Sequence, residues 1–595
     1  MQPADFITAA MSRALRLGPA RNKITIDRGM RVPMRDGTIL LADHYVPMAA
    51  QSRALPADSG GPPAGPATVL IRCPYGRGPQ FAVGAWALAE RGYHVLLQSC
   101  RGTFGSGGRF TPAVDEAADG QDTVAWLRGQ PWFSGRLALT GQSYLAFTAW
   151  AIAADPPPEL TAMALHISPH DLADAGFGHG PFELFNLLSW SDLVASQERF
   201  GGARMIWRTL TAERRLALAM NRLPIAATGA ELAYQGAPWY QDWLNHPDRS
   251  DSFWDSFSAA AALDRVTVPT LLVTGFHDFF VEQTVSQYQA LRQRGVPAAL
   301  TVGPWAHMSL DLGVALRETI AWFDAYADGT HRNGAVAAAR PLPVRVRTSG
   351  LDRWRDLPDW PPEAACPLHL YLQADRALAV STGSDGAAAA STALRYDPAD
   401  PTPSVGGRTM SVRHAGSHDN SAVEARADVL TFSTETLAEP VEVAGAPLVE
   451  LFLSSDNPHC DVFARLCDVD AYGRSRNLTD QIVRCKPDDV TPGQVRRLRV
   501  TLTDISHVFA AGHRIRLQVS GGAHPRFARN LGTGGDLLHD SRMAAVTHQI
   551  QHSTRYASAL VLPVLPGPDA GALAVTAAAV TEPAGAAGDE PLTPA

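Results

Sequence analysis

Two hydrophobic rhythms divide the chain. Between Thr68 and Val302, short unbroken apolar runs (Thr68–Ile71, Tyr93–Gln98, Leu137–Thr140, Pro269–Asp278, Ala298–Val302) are separated by stretches at helical spacing (Phe81–Arg91, Asp119–Leu127, Val281–Arg294). Runs without alternation predict strands covered on both faces, and their succession with helices predicts a parallel sheet. Ahead of them, Lys23–Pro47 alternates apolar and polar residues around Met34-Arg35-Asp36-Gly37, a hairpin pattern in which Asp-Gly supplies the positive-φ positions. From about Ala162 to Leu263 the strand rhythm gives way to helical, aromatic-rich sequence (Phe182, Phe185, Trp190, Trp239, Tyr240, Trp243), which predicts an inserted helical cap. From Pro341 to about Leu562 many short strands with Pro and Gly turns predict an all-β sandwich or jelly roll. The expected layout is an N-terminal arm (1–20), an α/β core (21–161 and 264–335), the cap (162–263), a jelly-roll domain (336–565) and a disordered tail (566–595). Residues 51–67, rich in Pro, Gly, Ala and Ser, read as a surface loop.

Composition narrows the function classes. The 595 residues are 46% hydrophobic and 18% charged, an ordinary globular balance with material for several domains. A net charge of -8 argues against nucleic acid as a partner. Asp5, Arg13, Arg16 and Pro19 break the first twenty residues, and no later run reaches the ~20 apolar residues of a membrane span, so the expectation is a cytoplasmic chain without a membrane partner. Six cysteines at irregular spacing, with no Cys-x-x-Cys, predict buried free thiols. No metal or cofactor is expected. His166 and His170 are four apart, but Pro169 breaks the helix that would align them, and in the glycine-rich loop after Arg101 Phe110 stands where a dinucleotide fingerprint needs glycine.

One stretch carries candidate chemistry. Leu137–Thr140 runs into Gly141-Gln142-Ser143-Tyr144-Leu145 and then an Ala-rich helical segment, placing Ser143 where a strand turns sharply into a helix. A serine on such an elbow stands clear of the sheet on strained backbone. Two further parallel strands end in Asp278 and His307. The order Ser143, Asp278, His307 is that of an α/β-hydrolase triad, in which an imidazole takes the serine proton and a buried carboxylate fixes the imidazole. Taken singly, Asp278 also suits a helix cap and His307 is one of nineteen histidines.

Several motifs extend this picture. Met34-Arg35-Asp36-Gly37, Arg72-Cys73-Pro74-Tyr75, the Arg101-Gly102 loop with Ser106, Gln130-Pro131-Trp132 through Ser143-Tyr144, and Gly275 to Phe280 occur in order. Gly303-Pro304-Trp305-Ala306-His307, Gly512 to Leu517 and Pro525 to Asn530 follow. With these motifs the chain resembles the family of serine hydrolases that holds cocaine esterase and X-prolyl dipeptidyl aminopeptidases, together with α-amino-acid ester hydrolases and glutaryl-cephalosporin acylases. The resemblance implies an α/β-hydrolase core, helical cap and C-terminal jelly roll, with Ser143, Asp278 and His307 as the triad. It also implies an oxyanion hole made by the backbone N–H of Tyr144 and the phenol of Tyr75. Ser99, Gly76 and Ala146 depart from the family pattern, where Asp, Asp and Gly are usual. Phe182 and Trp190 in the cap, and Phe280 and Trp305 beside the acid and the histidine, are the candidates for a substrate pocket. The expected activity is hydrolysis of an ester or amide of a small molecule through an acyl-enzyme. An acyltransferase using the same intermediate, an X-prolyl dipeptidyl peptidase, and a binding protein remain alternatives, and a homo-oligomer is left open.

Overall fold

The computed structural model describes residues 12–48, 65–200, 203–327, 340–382, 391–485 and 491–566. Most of the expected N-terminal arm and surface loop, and the expected tail from residue 567, lie outside the described residues. The core is a ten-stranded sheet in the order β1-β2-β4-β3-β5-β6-β7-β8-β9-β10. Its strands are β1 (Ile24–Pro33), β2 (Ile39–Pro47), β3 (Thr68–Cys73), β4 (His94–Ser99), β5 (Leu137–Gln142), β6 (Leu160–His166), β7 (Thr270–His277), β8 (Ala298–Ala306), β9 (Val344–Thr348) and β10 (Arg353–Leu357). β1, β2 and β4 pair antiparallel, and the sheet is then parallel from β4 to β9. β3 and β4 are buried along their whole length, as their unbroken apolar runs demand.

The first hairpin closes differently from the Asp-Gly expectation. Only Gly37 takes a positive φ, 83°, while the Asp36 carboxylate accepts the Thr38 N–H at 2.9 Å. An Asx turn thus replaces the second left-handed residue. The sheet also runs further than composition suggests. β9 and β10 fall in the β-rich half of the sequence, yet β9 pairs parallel with β8 and β10 closes the edge. Without them β8 would present an unpaired edge.

Helices α1 (Pro79–Ala89), α2 (Glu116–Arg128) and α3 (Tyr144–Ala153) join the early strands. Between β6 and β7 lies a helical layer containing α4 (Leu172–Phe177), α5 (Leu184–Ser196), α6 (Ala203–Leu210), α7 (Ala212–Asn221), α8 (Ala226–Gln235) and α9 (Trp239–Asn245). Its aromatic residues merge with the core: Phe182, Trp239, Tyr240 and Trp243 share one cluster with Leu139, Phe147 and Trp150. α10 (Val281–Gln293) and α11 (Leu312–Tyr326) complete the core.

The C-terminal part is two antiparallel sheets, one of nine strands and one of four, packed about Leu430, Phe432, Val449, Leu451, Leu466 and Leu560. A buried ionic network ties it to the rest. Arg526 bonds Asp480 at 2.5 Å and lies 3.5 Å from Glu183, and Arg408 bonds Glu282 at 2.7 Å.

Candidate active site

β5 delivers Ser143 on a sharp elbow. Its backbone sits at φ 57° and ψ -126°, an uncommon conformation for a residue with a side chain. The turn closes so tightly that a Cβ on Gly141 would come within 2.4 Å of the Leu145 backbone, so glycine is required there. Ala146, where the family pattern has glycine, is fully buried in the packed core.

The acid and the base reach this serine by strand register. His277 of β7 pairs with Ala306 of β8, so the next residues, Asp278 and His307, leave neighbouring strands side by side. The two strand ends approach closely: a Cβ on Gly275 would meet the Trp305 carbonyl at 2.1 Å. The His307 Nδ1 lies 2.7 Å from Asp278 Oδ1, and its Nε2 lies 2.9 Å from Ser143 Oγ. A carboxylate only accepts, so Nδ1 carries the proton and donates to Asp278, leaving the Nε2 lone pair facing the serine hydroxyl. Asp278 is fully buried, and its second oxygen accepts the Thr274 hydroxyl at 2.9 Å. That bond satisfies the charge that burial would otherwise penalise.

Two donors are the candidates for the oxyanion. Tyr144 opens α3, so its backbone N–H is one of the first-turn donors that the helix itself leaves unused. Tyr75 follows β3, and its phenol oxygen accepts the Trp190 indole N–H at 2.8 Å. The phenol's own proton stays available for a second acceptor. Burial holds that phenol protonated, raising its pKa well above the ordinary tyrosine value.

The sequence profile of the X-Pro dipeptidyl-peptidase (S15 family) matches residues 36–309, which span Ser143, Asp278 and His307. That of the X-Pro dipeptidyl-peptidase C-terminal non-catalytic domain matches residues 334–561. Cocaine esterase from Rhodococcus sp. (strain MB1 Bresler) is 32% identical over 589 residues, covering 91% of this chain and 99% of its own. This chain belongs to the S15 family. It is therefore a serine hydrolase that cleaves ester or amide bonds. The S15 fold recurs in solved structures. An aminopeptidase from the marine sediment archaeon Thaumarchaeota archaeon shares 24% identity at a TM-score of 0.74, and an α-amino acid ester hydrolase 23% at 0.75. Each alignment covers 92% of this chain and 97% of the other.

The four pocket candidates fare differently in this S15 hydrolase. The Phe280 ring meets the His307 ring edge-on with centroids 5.3 Å apart. Trp190 stacks on Tyr144 at 5.7 Å and holds Tyr75, so it contacts both oxyanion candidates. Phe182 is a correction: it is fully enclosed between Phe177 and Tyr240, a part of the cap core with no free face. Trp305 is another. Strand alternation puts it over Gly303, on the opposite face from Val302, where it packs against Trp354 at 5.9 Å.

The other departures from the family pattern have local explanations. Gly76 has φ +89°, and a Cβ there would strike the Phe104 ring at 2.7 Å. Ser99 accepts from Arg77, whose guanidinium also bonds Asp43 at 3.1 Å, so β2 supplies the carboxylate facing this arginine. His166 and His170 turn to separate partners, Thr319 at 2.8 Å and Gln287 at 3.0 Å. Sequence reasoning missed Thr274 and Trp190's bond to Tyr75. Thr274 was within reach, since it is a hydroxyl in the middle of a largely apolar buried strand, four residues before the acid.

Proposed function

We propose that Ser143 is the nucleophile, His307 its general base and Asp278 the carboxylate that orients and stabilises the imidazole. The 2.9 Å Ser143–His307 contact, continued at 2.7 Å to Asp278 on a strained elbow, carries this reading. Ser143 Oγ attacks the substrate carbonyl as its proton passes to His307 Nε2. The oxygen that gains charge is held by the Tyr144 N–H and the Tyr75 hydroxyl. His307 then protonates the leaving group, and an acyl-enzyme remains on Ser143. Water, activated by the same imidazole, releases the acid. Aligned donors and a preset imidazole cost no reorganisation during the reaction, which is why such sites accelerate acyl transfer.

The substrate is a small-molecule ester or amide. An X-prolyl dipeptidyl peptidase needs a carboxylate for the substrate ammonium. The two carboxylates on the cleft that Met308 lines already have partners, Asp192 in Arg208 and Arg215, and Glu213 in His414. Acyl esters are the favoured class on this ground. Six unpaired thiols, five of them buried, support a cytoplasmic setting, and no helix among the described residues is long and apolar enough to cross a membrane. The test is a screen of acyl esters, p-nitroanilides and β-lactams with stopped-flow detection. An initial burst of leaving group accompanied by an acyl adduct on Ser143 is the expected result. Turnover with no adduct on Ser143 under any trapping condition would overturn the assignment.

A further inference from the structure

Met308, the residue after His307, lines a cleft whose other walls are one face of α5, the ends of α6 and α7, and the loop at Met410–Arg413. α5 links it to the chemistry: Trp190 on this helix holds Tyr75, while its neighbours Ser189 and Asp192 face the cleft. Apolar side chains, Phe185, Leu193, Leu210 and Met410 among them, form part of the lining. The charge on the wall is lopsided. Guanidiniums outnumber carboxylates three to two: Arg208, Arg215 and Arg413 against Asp192 and Glu213.

Asp192 is shared. Arg208 donates to its Oδ1 at 2.9 Å, and Arg215 donates to Oδ1 at 2.8 Å and also to Oδ2. Glu213 faces His414 Nε2 at 3.2 Å. One carboxylate therefore balances two guanidiniums, and the wall keeps a net positive charge. Three donor groups there are buried without a partner, the Nε of Arg208, the Nε of Arg215 and the Ser189 hydroxyl. Unmet donors at an excess of positive charge, in a cleft that is partly apolar, have a defined complement: an anion attached to an apolar stem.

We propose that this cleft selects esters or amides bearing a carboxylate a few bonds from the scissile carbonyl, with Arg208 and Arg215 as its specificity determinants. The proposal rests on Ser143 being the nucleophile. The apolar wall takes the stem between carbonyl and carboxylate, and the guanidiniums take the charge in a bidentate fashion that a lysine would not match.

The test compares pairs that differ only in that charge. Mono-4-nitrophenyl adipate is set against its methyl ester for the acyl side, and 4-carboxyphenyl butanoate against its methyl ester for the leaving side. In one of the two pairs the acid should exceed its ester in kcat/KM by roughly tenfold or more, mainly through KM. Salt should shrink the advantage, because both arginine side chains are partly exposed. In Arg208→Gln and Arg215→Gln the ratio should fall toward parity, and Arg215→Lys should recover part of it. A ratio of two substrates on one protein cancels any loss of folded enzyme. Turnover of the neutral esters with no preference for either acid in the parent would overturn the proposal and leave the nucleophile assignment standing. If no ester is turned over and a fluorophosphonate leaves Ser143 unlabelled, the underlying assignment falls and takes the proposal with it.

Discussion

Ser143, His307 and Asp278 are matched elsewhere in the molecule by Ser349, His507 and Asp468. The second set joins the end of β9 to the β-domain. Ser349 Oγ lies 2.7 Å from His507 Nδ1, and His507 Nε2 lies 3.1 Å from Asp468. The residue types and separations are close to those of the first set, yet the surroundings differ at every point that matters for catalysis. Ser349 is on ordinary extended backbone, its N–H given to the Ser506 carbonyl and its own carbonyl taken by Val508, each at 2.9 Å. Ser143 instead sits at φ 57° beside a helix-opening amide. The imidazole is reversed, offering Nδ1 and not Nε2 to the serine. Asp468 also accepts from His513 at 2.8 Å, so it serves two rings as a structural clasp. A serine, a histidine and an aspartate within hydrogen-bond reach form a reactive set only where the backbone also exposes the nucleophile and presents unused donors to the developing oxyanion.

The comparison breaks most sharply at the carboxylates. Asp278→Asn should lower kcat by about 10⁴-fold, because the amide favours the wrong imidazole tautomer. Asp468→Asn should leave ester hydrolysis unchanged and cost on the order of 1–3 kcal/mol in urea unfolding, the range for leaving buried donors unpaired. Equal losses of activity in the two variants would erase the distinction. Next in size is the oxyanion side. Tyr75→Phe keeps the ring and should reduce kcat by on the order of 10²- to 10³-fold with KM little changed, as steady-state kinetics would show. A raised KM at full kcat would make Tyr75 a pocket wall. The smallest effect belongs to Trp190→Phe, which removes the N–H that positions Tyr75. A loss in kcat of roughly 3- to 10-fold corresponds to one neutral hydrogen bond. In a Tyr75→Phe background the same substitution should have no further effect on kcat.

The contrast also explains what was legible in the sequence. Ser143, Asp278 and His307 each end a parallel strand whose unbroken apolar run marks it, so their order and placement could be read along the chain. Ser349 and His507 are 158 residues apart and meet only because two sheets pack together, which no local pattern records. The same limit applies to the pocket. Phe182 and Trp190 look alike in sequence, two aromatics of one helical insertion. Only packing shows one enclosed by Phe177 and Tyr240 and the other bonded to Tyr75. β9 and β10 carry the composition of the β-rich half, and the unfilled edge of β8 decides where they pair. Arg208 and Arg215 are isolated charges along the chain, and their meaning comes from sharing Asp192.

The most direct measurement is intact-protein and peptide mass spectrometry after fluorophosphonate treatment of the parent, Ser143→Ala and Ser349→Ala. The account predicts a single adduct on the Ser143 peptide in the parent and in Ser349→Ala, and none in Ser143→Ala. An adduct that survives in Ser143→Ala, or disappears in folded Ser349→Ala, would contradict it.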